Sequence, residues 1–332
     1  MSLPAKKNTS ETTMEAHQGE LLAFCKAAGE AIRLDILRTL KTESFGVMEL
    51  CRIFEMPQPG MSHHLKILTT AGLLQTRREG NSIFYRRALI ALSNPLSDLQ
   101  RSLLDAVDNN TLGNHLQERI DQVHRDRANS SRLFFQKNAD KFSENQDLIA
   151  KYDQYSGCIQ DMLANEALNS SSIVMEIGPG ESDLLVFLAA RFDQVLALDN
   201  SREMLNLARK KAAEKNCENV RFHQGELETV HQGIPRVNMI VLNMVLHHLA
   251  SPSTLFREAR KSLKEEGIIL IIDLCPHNQD WARDICGDLW LGFDPEDLDH
   301  WAESEGFETG QSLFLGLKNG FQIQMKIYHA GN

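Results

Sequence analysis

Residues 173–182 have the sequence IVMEIGPGES, in which a short apolar run is followed directly by two glycines. This pattern predicts a buried β-strand that ends beside a ligand, because glycine lets the backbone approach a bound molecule closely. Further along the chain, the strand-like runs VLALD, VRFHQ, VNMIVLN and IILIIDL alternate with helical segments such as SREMLNLARKKAAEK. The alternation predicts an α/β fold with a doubly wound, Rossmann-like parallel sheet, whose ligand crevice lies at the carboxyl ends of the strands. The last runs, QSLFLGL and FQIQMKIY, predict an antiparallel hairpin that closes the sheet.

Two acidic positions near the predicted strand ends indicate a nucleoside ligand. Asp199 ends the strand after the glycine turn, 21 residues beyond Gly178, where a carboxylate can accept hydrogen bonds from both hydroxyls of a ribose. Glu226, which lies between Gly225 and Leu227 after VRFHQ, can accept from the exocyclic amine of adenine. Together with the glycine turn, these positions predict a nucleoside-binding site.

A nicotinamide dinucleotide is the main alternative ligand for a strand, a glycine turn and an acidic strand end. Against it, Ser182 occupies the third glycine position, and Glu181 would place negative charge beside a pyrophosphate. A ligand with a cationic amino-acid arm is more compatible with Glu176 and Glu181. The sequence therefore favours an adenosyl ligand that carries such an arm.

The N-terminal third has the pattern of a winged helix-turn-helix. Apolar residues recur with helical spacing over residues 20–40, and two further amphipathic helices, VMELCRIF and MSHHLKILTTAGLL, flank the breaker MPQPG. The alternating segment LLQTRREGNSIFYRR (73–87) predicts a two-stranded hairpin that turns at Gly80-Asn81. Two helices joined by a tight turn and followed by a hairpin are typical of a DNA-binding module.

The charge distribution agrees with a local DNA-binding surface. The formal net charge of the chain is −10, which repels DNA unless basic residues are concentrated in one place. Segment 57–87 contains five basic residues and one acidic residue, so it carries +4 and the rest of the chain −14. We predict that the start of the second helix enters a major groove and that the wing arginines contact phosphates. The predicted DNA-binding residues are Gln58, Met61, Ser62, His63, Lys66, Arg77, Arg78 and Arg86.

The segment between the two predicted domains has helical periodicity, with a break at Asn109-Asn110. Its first helix carries a leucine stripe, and its second, HLQERIDQVHRDRANSSRLFF, is strongly charged and is interpreted as a solvated linker. The aromatic and polar residues of 134–155 either cover the ligand cleft or pack between domains. The predicted organisation is a winged-helix domain at 18–90, a helical dimerisation and linker segment at 91–150, and the nucleoside-binding domain at 151–332.

Composition excludes several other classes of protein. Hydrophobic residues make up 42% of the chain and charged residues 24%, a balance typical of globular proteins. No apolar run is long enough to span a bilayer, and the polar N-terminus lacks the apolar core of a signal peptide, so we expect a cytoplasmic protein with no membrane partner. The six cysteines form no CxxC pair, which predicts neither a disulfide nor a structural zinc site.

The segments AIRLDILRTL and LCRIFEMPQPGMSHHLKILTTAGLLQTRREGNSIFYR resemble the ArsR family of winged-helix repressors, over about residues 18–90. The resemblance implies a homodimer that binds an operator with two half-sites related by a two-fold axis. Where thiolate-sensing members of that family carry a Cys-x-Cys pair, this chain has Cys51-Arg52-Ile53. One thiolate cannot complete a metal site, so no metal is predicted and the regulatory signal must arise elsewhere.

The ordered motifs EIGPGES, ALDNS, QGELE, LNMVLHHL and EEGIILIID resemble class I S-adenosylmethionine-dependent methyltransferases, over about residues 151–332. The resemblance implies S-adenosylmethionine or S-adenosylhomocysteine as the ligand. It also implies that the glycine turn surrounds the amino-acid arm, that Asp199 holds the ribose, that Glu226 meets the adenine, and that Asn243 lies beside the sulfonium. The predicted cofactor-binding residues are Glu176, Gly178, Gly180, Asp199, Asn200, Gly225, Glu226, Leu227 and Asn243.

Few residues are candidates for the base that methyl transfer to a protonated acceptor requires. His247 and His248 follow the fourth strand, and Asp273 and His277 follow the fifth; the alternative role for each of them is to stabilise a strand end. Trp281, Trp290 and Phe293 are either pocket walls or core residues. Arsenite methylation is an unfavoured alternative, because only Cys275 and Cys286 are near in sequence.

A DNA-binding domain without its own metal site, joined to a cofactor pocket, favours a regulator whose DNA affinity depends on pocket occupancy. The whole chain resembles S-adenosylhomocysteine-responsive ArsR-type regulators of the methionine cycle, which implies a repressor that a small-molecule effector releases. The alternative is an active methyltransferase for a small molecule, whose winged helix controls its own operon. The sequence favours the non-catalytic sensor.

Overall fold

The computed structural model describes residues 9–80, 82–91, 94–230 and 233–331. The chain forms two compact units that divide after Val123, within the segment predicted as a linker. The predicted fold class is confirmed, since one unit contains a winged helix-turn-helix and the other a mostly parallel seven-stranded sheet flanked by helices.

The first unit has the helices and the wing that its sequence predicts. Its helices are α1 (Thr9–Ala28), α2 (Ala31–Thr39), α3 (Val47–Ile53), α4 (Gln58–Thr70) and α5 (Ser97–Asp108), and its strands are β1 (Phe45–Gly46), β2 (Leu74–Glu79) and β3 (Ser82–Arg87). The strands pair in the antiparallel order β1-β3-β2. The wing turns at Gly80, whose φ of 57° favours glycine, while Asn81 lies outside the described residues.

Two local features of this unit differ from the prediction. The helix α4 begins at Gln58 rather than at Met61, because Pro59 lies in the first turn, where the helix has no partner for an N–H group. The two-residue strand β1, which pairs with β3, is too short to produce an alternating pattern and was not predicted.

The core of the first unit also includes the helix that follows the wing. Leu104 and Val107 of α5 pack with the buried residues of α2 and α4. The guanidinium of Arg87, at the end of the wing, donates to both carboxylate oxygens of Asp108 and to the carbonyl of Leu37. Arg87 is therefore a structural residue that fixes the base of the wing.

The second unit is a three-layer α/β sandwich. Its helices are α7 (Phe142–Ile149), α8 (Ser156–Ala164), α9 (Asp183–Arg191), α10 (Arg202–Glu214), α11 (Leu227–Val230), α12 (Thr254–Ser262), α13 (Trp281–Cys286) and α14 (Pro295–Ser304). Its strands are β4 (Ile173–Ile177), β5 (Gln194–Asp199), β6 (Val220–Gln224), β7 (Val237–Asn243), β8 (Leu263–Leu274), β9 (Phe307–Gly316) and β10 (Gln322–Ala330). The helix α6 (Asn114–Asn138) is continuous across the division between the units.

The strand order of this sheet determines where a ligand can bind. The order is β6-β5-β4-β7-β8-β10-β9, parallel from β6 to β8, with β10 antiparallel to both of its neighbours. The predicted closing hairpin is therefore confirmed. The chain runs outward from β4 through β5 to β6 and then returns to β7 on the other side. The carboxyl ends of β4 and β7 thus flank a topological switch point, where doubly wound folds bind their ligands.

Candidate functional site

A cavity of about 720 Å³ opens at the carboxyl ends of β4, β5 and β7 in the second unit. Most of the predicted cofactor-binding residues line it: Gly178, Gly180, Asp199, Asn200, Gly225, Glu226, Leu227 and Asn243. Glu176 does not line it, because its side chain is completely buried in β4. The structure thus brings residues from distant parts of the sequence to one surface, because the strands that they follow end at the same edge of the sheet.

The glycine turn after β4 approaches the end of β7 too closely for a side chain. Gly178 has a φ of 64°, its N–H donates to the carbonyl of Leu198 at 2.8 Å, and a Cβ on it would lie 2.6 Å from Cγ2 of Val245. Gly180 has a φ of 47°, but a Cβ there would meet only the terminal methyl of Met204, at 3.0 Å. The first glycine is therefore required by both conformation and space.

We expect Gly178→Ala to lower the free energy of unfolding by on the order of 2–3 kcal/mol, because the alanine must adopt a left-handed conformation and displace Val245. Gly180→Ala should have a smaller effect, about 1 kcal/mol, since the Met204 methyl can move. Urea denaturation of the two variants measures this difference. Equal losses would show that the contact with Val245 does not matter.

The carboxylate of Glu176 lies inside the sheet, where no hydrogen bond from a described residue offsets its loss of hydration. It is fully buried, and neither carboxylate oxygen has a hydrogen-bond partner among the described residues. Burial raises the pKa of Glu176 to about 8; the hydroxyl of Ser182 opposes this rise without reaching hydrogen-bonding geometry. A buried acid of this kind is stabilised in its charged form by a cationic ligand group nearby.

The residues at the ends of β5 and β6 are connected to each other. The side-chain carboxylate of Asp199 accepts from the N–H of Ser201 at 2.8 Å, and the backbone carbonyl of Asp199 accepts from the N–H of Gly225 at 3.0 Å. The Asn200 amide donates to Glu226 at 3.2 Å. Although Asp199 borders the cavity, burial raises its pKa to about 7. These contacts hold two carboxylates at fixed positions along one wall of the cavity.

Residues of the segment 134–155 line this cavity, as the predicted role of a cover over the ligand cleft requires. Phe135, Phe142, Tyr152 and Tyr155 all line the cavity, and the Tyr155 hydroxyl donates to Oδ1 of Asn243 at 3.0 Å. Sequence reasoning assigned no site residue to this segment. The mixture of aromatic and polar residues was a usable signal for a cover, but it did not identify which ring faces the ligand.

The two predicted candidate bases have different environments. His248 lines the cavity, whereas His247 is fully buried and is not among the lining residues, which agrees with the alternative that His247 stabilises a strand end. Burial alone would lower the pKa of His247, but the carboxylates of Asp273 and Asp288 raise it to about 9. Burial and the neighbouring charge of His247 hold the pKa of His248 well below its usual value. His248 is therefore a weak base.

The remaining candidates for the transfer site lie outside the cavity lining. Asp273 is fully buried and accepts from the ring of His247 at 2.8 Å, and the ring of His277 packs against Phe321. The possible pocket walls Trp281, Trp290 and Phe293 are likewise not among the described residues that line the cavity. These residues belong to the structure around the site rather than to its surface.

In the first unit, α4 presents a polar face on which Gln58, His63 and Lys66 are exposed and Ser62 is half-buried. Met61 is completely buried in the core, so its prediction as a DNA contact is wrong. Its position follows from the helical repeat of α4, which places residues 61, 65 and 68 together on the inner face.

The wing arginines differ in their accessibility. Arg77 forms an ion pair with the buried carboxylate of Glu79, and Arg86 is half-buried. Arg78 is exposed, and its Nε donates to the carbonyl of Gly80 at 3.1 Å. Arg78 is therefore the most accessible of the three predicted phosphate contacts.

No helix within the described ranges is long and apolar enough to cross a membrane.

The winged helix and the cavity-bearing sheet define a two-part protein, a DNA-binding regulator domain joined to a methyltransferase-type domain. Residues 31–76 match the model of the arsR family of bacterial regulatory proteins, and residues 168–306 match a methyltransferase domain. An uncharacterized HTH-type transcriptional regulator of Methanocaldococcus jannaschii is 44% identical over 63 residues, which are 18% of this chain and 68% of that protein. The chain belongs to the arsR family through its N-terminal domain, and its C-terminal domain is a methyltransferase domain.

Relatives of the second domain are more distant. The uncharacterized methyltransferase YcgJ of Bacillus subtilis is 29% identical over 100 residues, and the chain spans 40% of its length and 30% of its own. The solved complex of the Haloferax volcanii Trm112 methyltransferase activator with a putative methyltransferase contains a chain that is 13% identical, with a TM-score of 0.49. The alignment covers 60% of this chain and 98% of that chain.

Proposed function

We propose that the protein is a transcriptional repressor whose methyltransferase domain binds S-adenosylhomocysteine or S-adenosylmethionine as an effector and controls methionine-cycle genes. In this proposal the cavity residues Asp199, Glu226 and Asn243 contact the ribose, the adenine and the sulfur end of the ligand. Glu176 supplies negative charge behind the amino-acid arm. The buried, uncompensated carboxylate of Glu176 supports a ligand with a cationic arm.

The observation that carries the proposal is the double role of α6. Its N-terminal half contributes Ile120 and Val123 to the core of the first unit, and its C-terminal half places Ala128 and Phe135 in the cavity lining. A ligand that orders the cavity lining therefore acts on a helix that is also part of the DNA-binding unit. Such a shared element provides the linkage that makes two binding sites alter each other's affinity.

The N-terminal half of α6 also contacts the helix-turn-helix itself. Nε of Arg119 donates to the carbonyl of Ile53 at 2.6 Å, and Nη1 lies 3.1 Å from the carboxylate of Glu55. Ile53 ends α3, and Glu55 lies in the turn before α4. A change in α6 is thus transmitted to the turn that positions the proposed DNA-reading helix.

The experiment combines calorimetric titration of both ligands with a gel shift on the upstream region of the gene. We expect binding of at least one ligand to the pure protein and, for S-adenosylhomocysteine, release of the DNA. If neither ligand binds, or if binding leaves the DNA affinity unchanged, the sensor proposal fails.

An active methyltransferase is a second candidate, supported by the family match over residues 168–306. The low pKa of His248, the one predicted base that lines the cavity, favours the sensor instead, because a weak base contributes little to proton removal. Transfer of labelled methyl groups from S-adenosylmethionine to a small-molecule acceptor would establish the enzyme.

We also propose that the chain acts as a homodimer on an operator with two half-sites. The first unit exposes the apolar side chains of Leu22 and Leu99 on α1 and α5, which a second copy can cover. Sedimentation analysis tests this, with Leu99→Glu expected to shift the protein toward the monomer. A wild-type protein that sediments as a monomer contradicts the proposal.

For the DNA contact, we expect Arg78→Ala to weaken binding about equally at all sequences and to reduce the salt dependence by about one counterion. The reason is that Arg78 is exposed and carries a charge next to the wing turn. The matched control is Arg101→Ala, which removes the same charge from an exposed position on α5. If the salt dependence of DNA binding is unchanged in Arg78→Ala, Arg78 of the wing does not contact the DNA.

A further inference from the structure

Three side chains with metal-ligand chemistry converge beside the cavity. One ligand atom from each of His247, His248 and Asp288 lies within 4.8 Å of the other two. All three residues are buried, with exposed fractions of 0%, 7% and 3%. His248 lines the cavity, while His247 and Asp288 lie behind it. Neither the DNA-binding surface nor the proposed cofactor contacts account for this cluster.

The hydrogen bonds of the two imidazoles fix which nitrogen faces the cluster. Nδ1 of His247 lies 2.8 Å from Oδ1 of Asp273, which also accepts from the N–H of Leu274. Nδ1 of His248 lies 3.2 Å from the carbonyl oxygen of Gly287. A carbonyl or an ionised carboxylate only accepts, so both Nδ1 atoms carry a proton, and either ring in its neutral form has a lone pair on Nε2.

Both Nε2 atoms lack a hydrogen-bond partner among the described residues. A buried nitrogen without a partner is costly, typically by about 1–3 kcal/mol. Histidines that bind metals have this arrangement, in which the second nitrogen donates to a carboxylate or a backbone carbonyl and thereby orients the ring. Asp273 and the carbonyl of Gly287 supply these two orienting acceptors.

The spacing within the cluster is also compatible with a bound ion. Nε2 of His247 lies 3.7 Å from Oδ1 of Asp288, which is too long for a hydrogen bond. Two ligands of one ion with bonds of about 2.0–2.1 Å lie roughly 3.0–3.5 Å apart, so the cluster, whose ligand atoms lie within 4.8 Å of one another, contracts when it binds the ion. Two imidazoles and a carboxylate are a common ligand set for zinc and other first-row divalent ions.

We propose that His247, His248 and Asp288 bind a divalent first-row transition-metal ion, with Asp273 and the carbonyl of Gly287 as positioning groups. The ion connects the end of β7 to the loop after α13, where the N–H groups of Leu289 and Trp290 already donate to the carbonyl of His247. This departs from the sequence-based expectation that no metal binds, which did not consider His247, His248 and Asp288 as ligands.

The competing explanation is that the cluster binds a proton instead of a metal ion. An imidazolium at His247, between the carboxylates of Asp273 and Asp288, also satisfies the negative charge of the cluster. The two explanations differ in what they require of His248. A metal ion uses Nε2 of His248 as a ligand, whereas the imidazolium leaves that atom without a role.

The test uses the full-length chain without a histidine tag, stripped with a chelator and titrated with Co²⁺, whose visible absorption reports its ligands. We expect one ion per chain, and at least a 100-fold loss of cobalt affinity in both His248→Gln and Asp288→Asn. Asp273→Asn should weaken binding by about 10- to 100-fold, as for other orienting groups. The matched control is His124→Gln, which changes a histidine that lines the cavity outside the cluster and should bind cobalt like the wild type.

Circular dichroism establishes whether each variant is folded. If either His248→Gln or Asp288→Asn does not fold, the other variant is used for the comparison. Folded wild-type protein that takes up only substoichiometric cobalt overturns the proposal in favour of the imidazolium. Wild-type affinity in a folded His248→Gln variant overturns it as well. Because cobalt binding is measured directly, either result is independent of whether S-adenosylhomocysteine binds.

Discussion

Asp199→Asn should produce a repressor that still binds DNA but no longer responds to S-adenosylhomocysteine. The substitution removes the charge that is proposed to accept hydrogen bonds from two ribose hydroxyls. Hydrogen bonds to a charged group contribute about 1.5–3 kcal/mol each. We therefore expect a loss of about 3 kcal/mol or more, which is about 100-fold or more in ligand affinity.

The same variant should fold normally. Burial disfavours the charged form of Asp199 and raises its pKa to about 7, so a neutral amide of the same shape is tolerated in the ligand-free protein. The Oδ1 of asparagine can still accept from the N–H of Ser201, as the carboxylate does at 2.8 Å. A loss of effector response in this variant therefore reports on the ligand and not on the fold.

The measurement is a gel shift with increasing S-adenosylhomocysteine, alongside calorimetry. The matched control is Asp193→Asn, the same chemical change at an exposed residue that precedes β5, at the opposite end of the strand from Asp199. The control should release DNA at the wild-type ligand concentration. If Asp199→Asn also does so, the ribose contact is misplaced.

Sequence reasoning located the cavity because its determinants are local. The parallel strands β4, β5 and β7 are nearly continuous apolar runs, as in sheets whose two faces are covered by helices, and the residue at the end of each run lies at the ligand-binding edge. For this reason Gly178, Asp199 and Glu226 were placed on one surface without any knowledge of long-range contacts, whereas Asn243 came from the resemblance to methyltransferases. The glycine turn was likewise predictable from residues adjacent in sequence.

The features that were missed depend on tertiary packing. Met61 was assigned to DNA from its place near the start of α4, although its spacing of four and seven residues from Leu65 and Leu68 puts it on the same buried face as those leucines. His247 and His248 are adjacent in sequence, yet the short 3₁₀ turn after β7 directs one into the core and the other to the cavity. The residues that cover the cavity, such as Tyr155, carry no motif that distinguishes them from ordinary core aromatics.

The affinity for a cationic ligand should rise as the pH increases from 6 to 8. Burial raises the pKa of Glu176 to about 8 and that of Asp199 to about 7, so both acids are largely protonated in the ligand-free protein at pH 6. The proposed ligand needs both in the charged form, because Glu176 supplies negative charge behind its cationic arm and Asp199 accepts from its ribose. Binding must then release protons, and affinity increases by up to about tenfold per pH unit for each group below its pKa.

The stability of the ligand-free protein should change in the opposite direction. Unfolded carboxyls have a pKa near 4, so between about pH 4 and pH 8 the folded chain binds more protons at these two sites than the unfolded chain does. Excess protons on the folded state mean that the free energy of unfolding falls as the pH rises through this window. The same two carboxyls therefore make the ligand affinity rise with pH and the stability of the ligand-free protein fall.

Glu176→Gln separates the two effects. It should raise the stability of the ligand-free protein at pH 8, flatten its decline between pH 6 and 8, and remove the part of the proton release that belongs to Glu176. Calorimetry in two buffers with different ionisation heats measures the protons released, and urea denaturation measures the stability. The matched control is Asp153→Asn, an exposed carboxylate that lines the same cavity, which should retain the wild-type pH dependence. A wild-type affinity that does not change between pH 6 and 8 would mean that binding requires neither Glu176 nor Asp199 in the charged form.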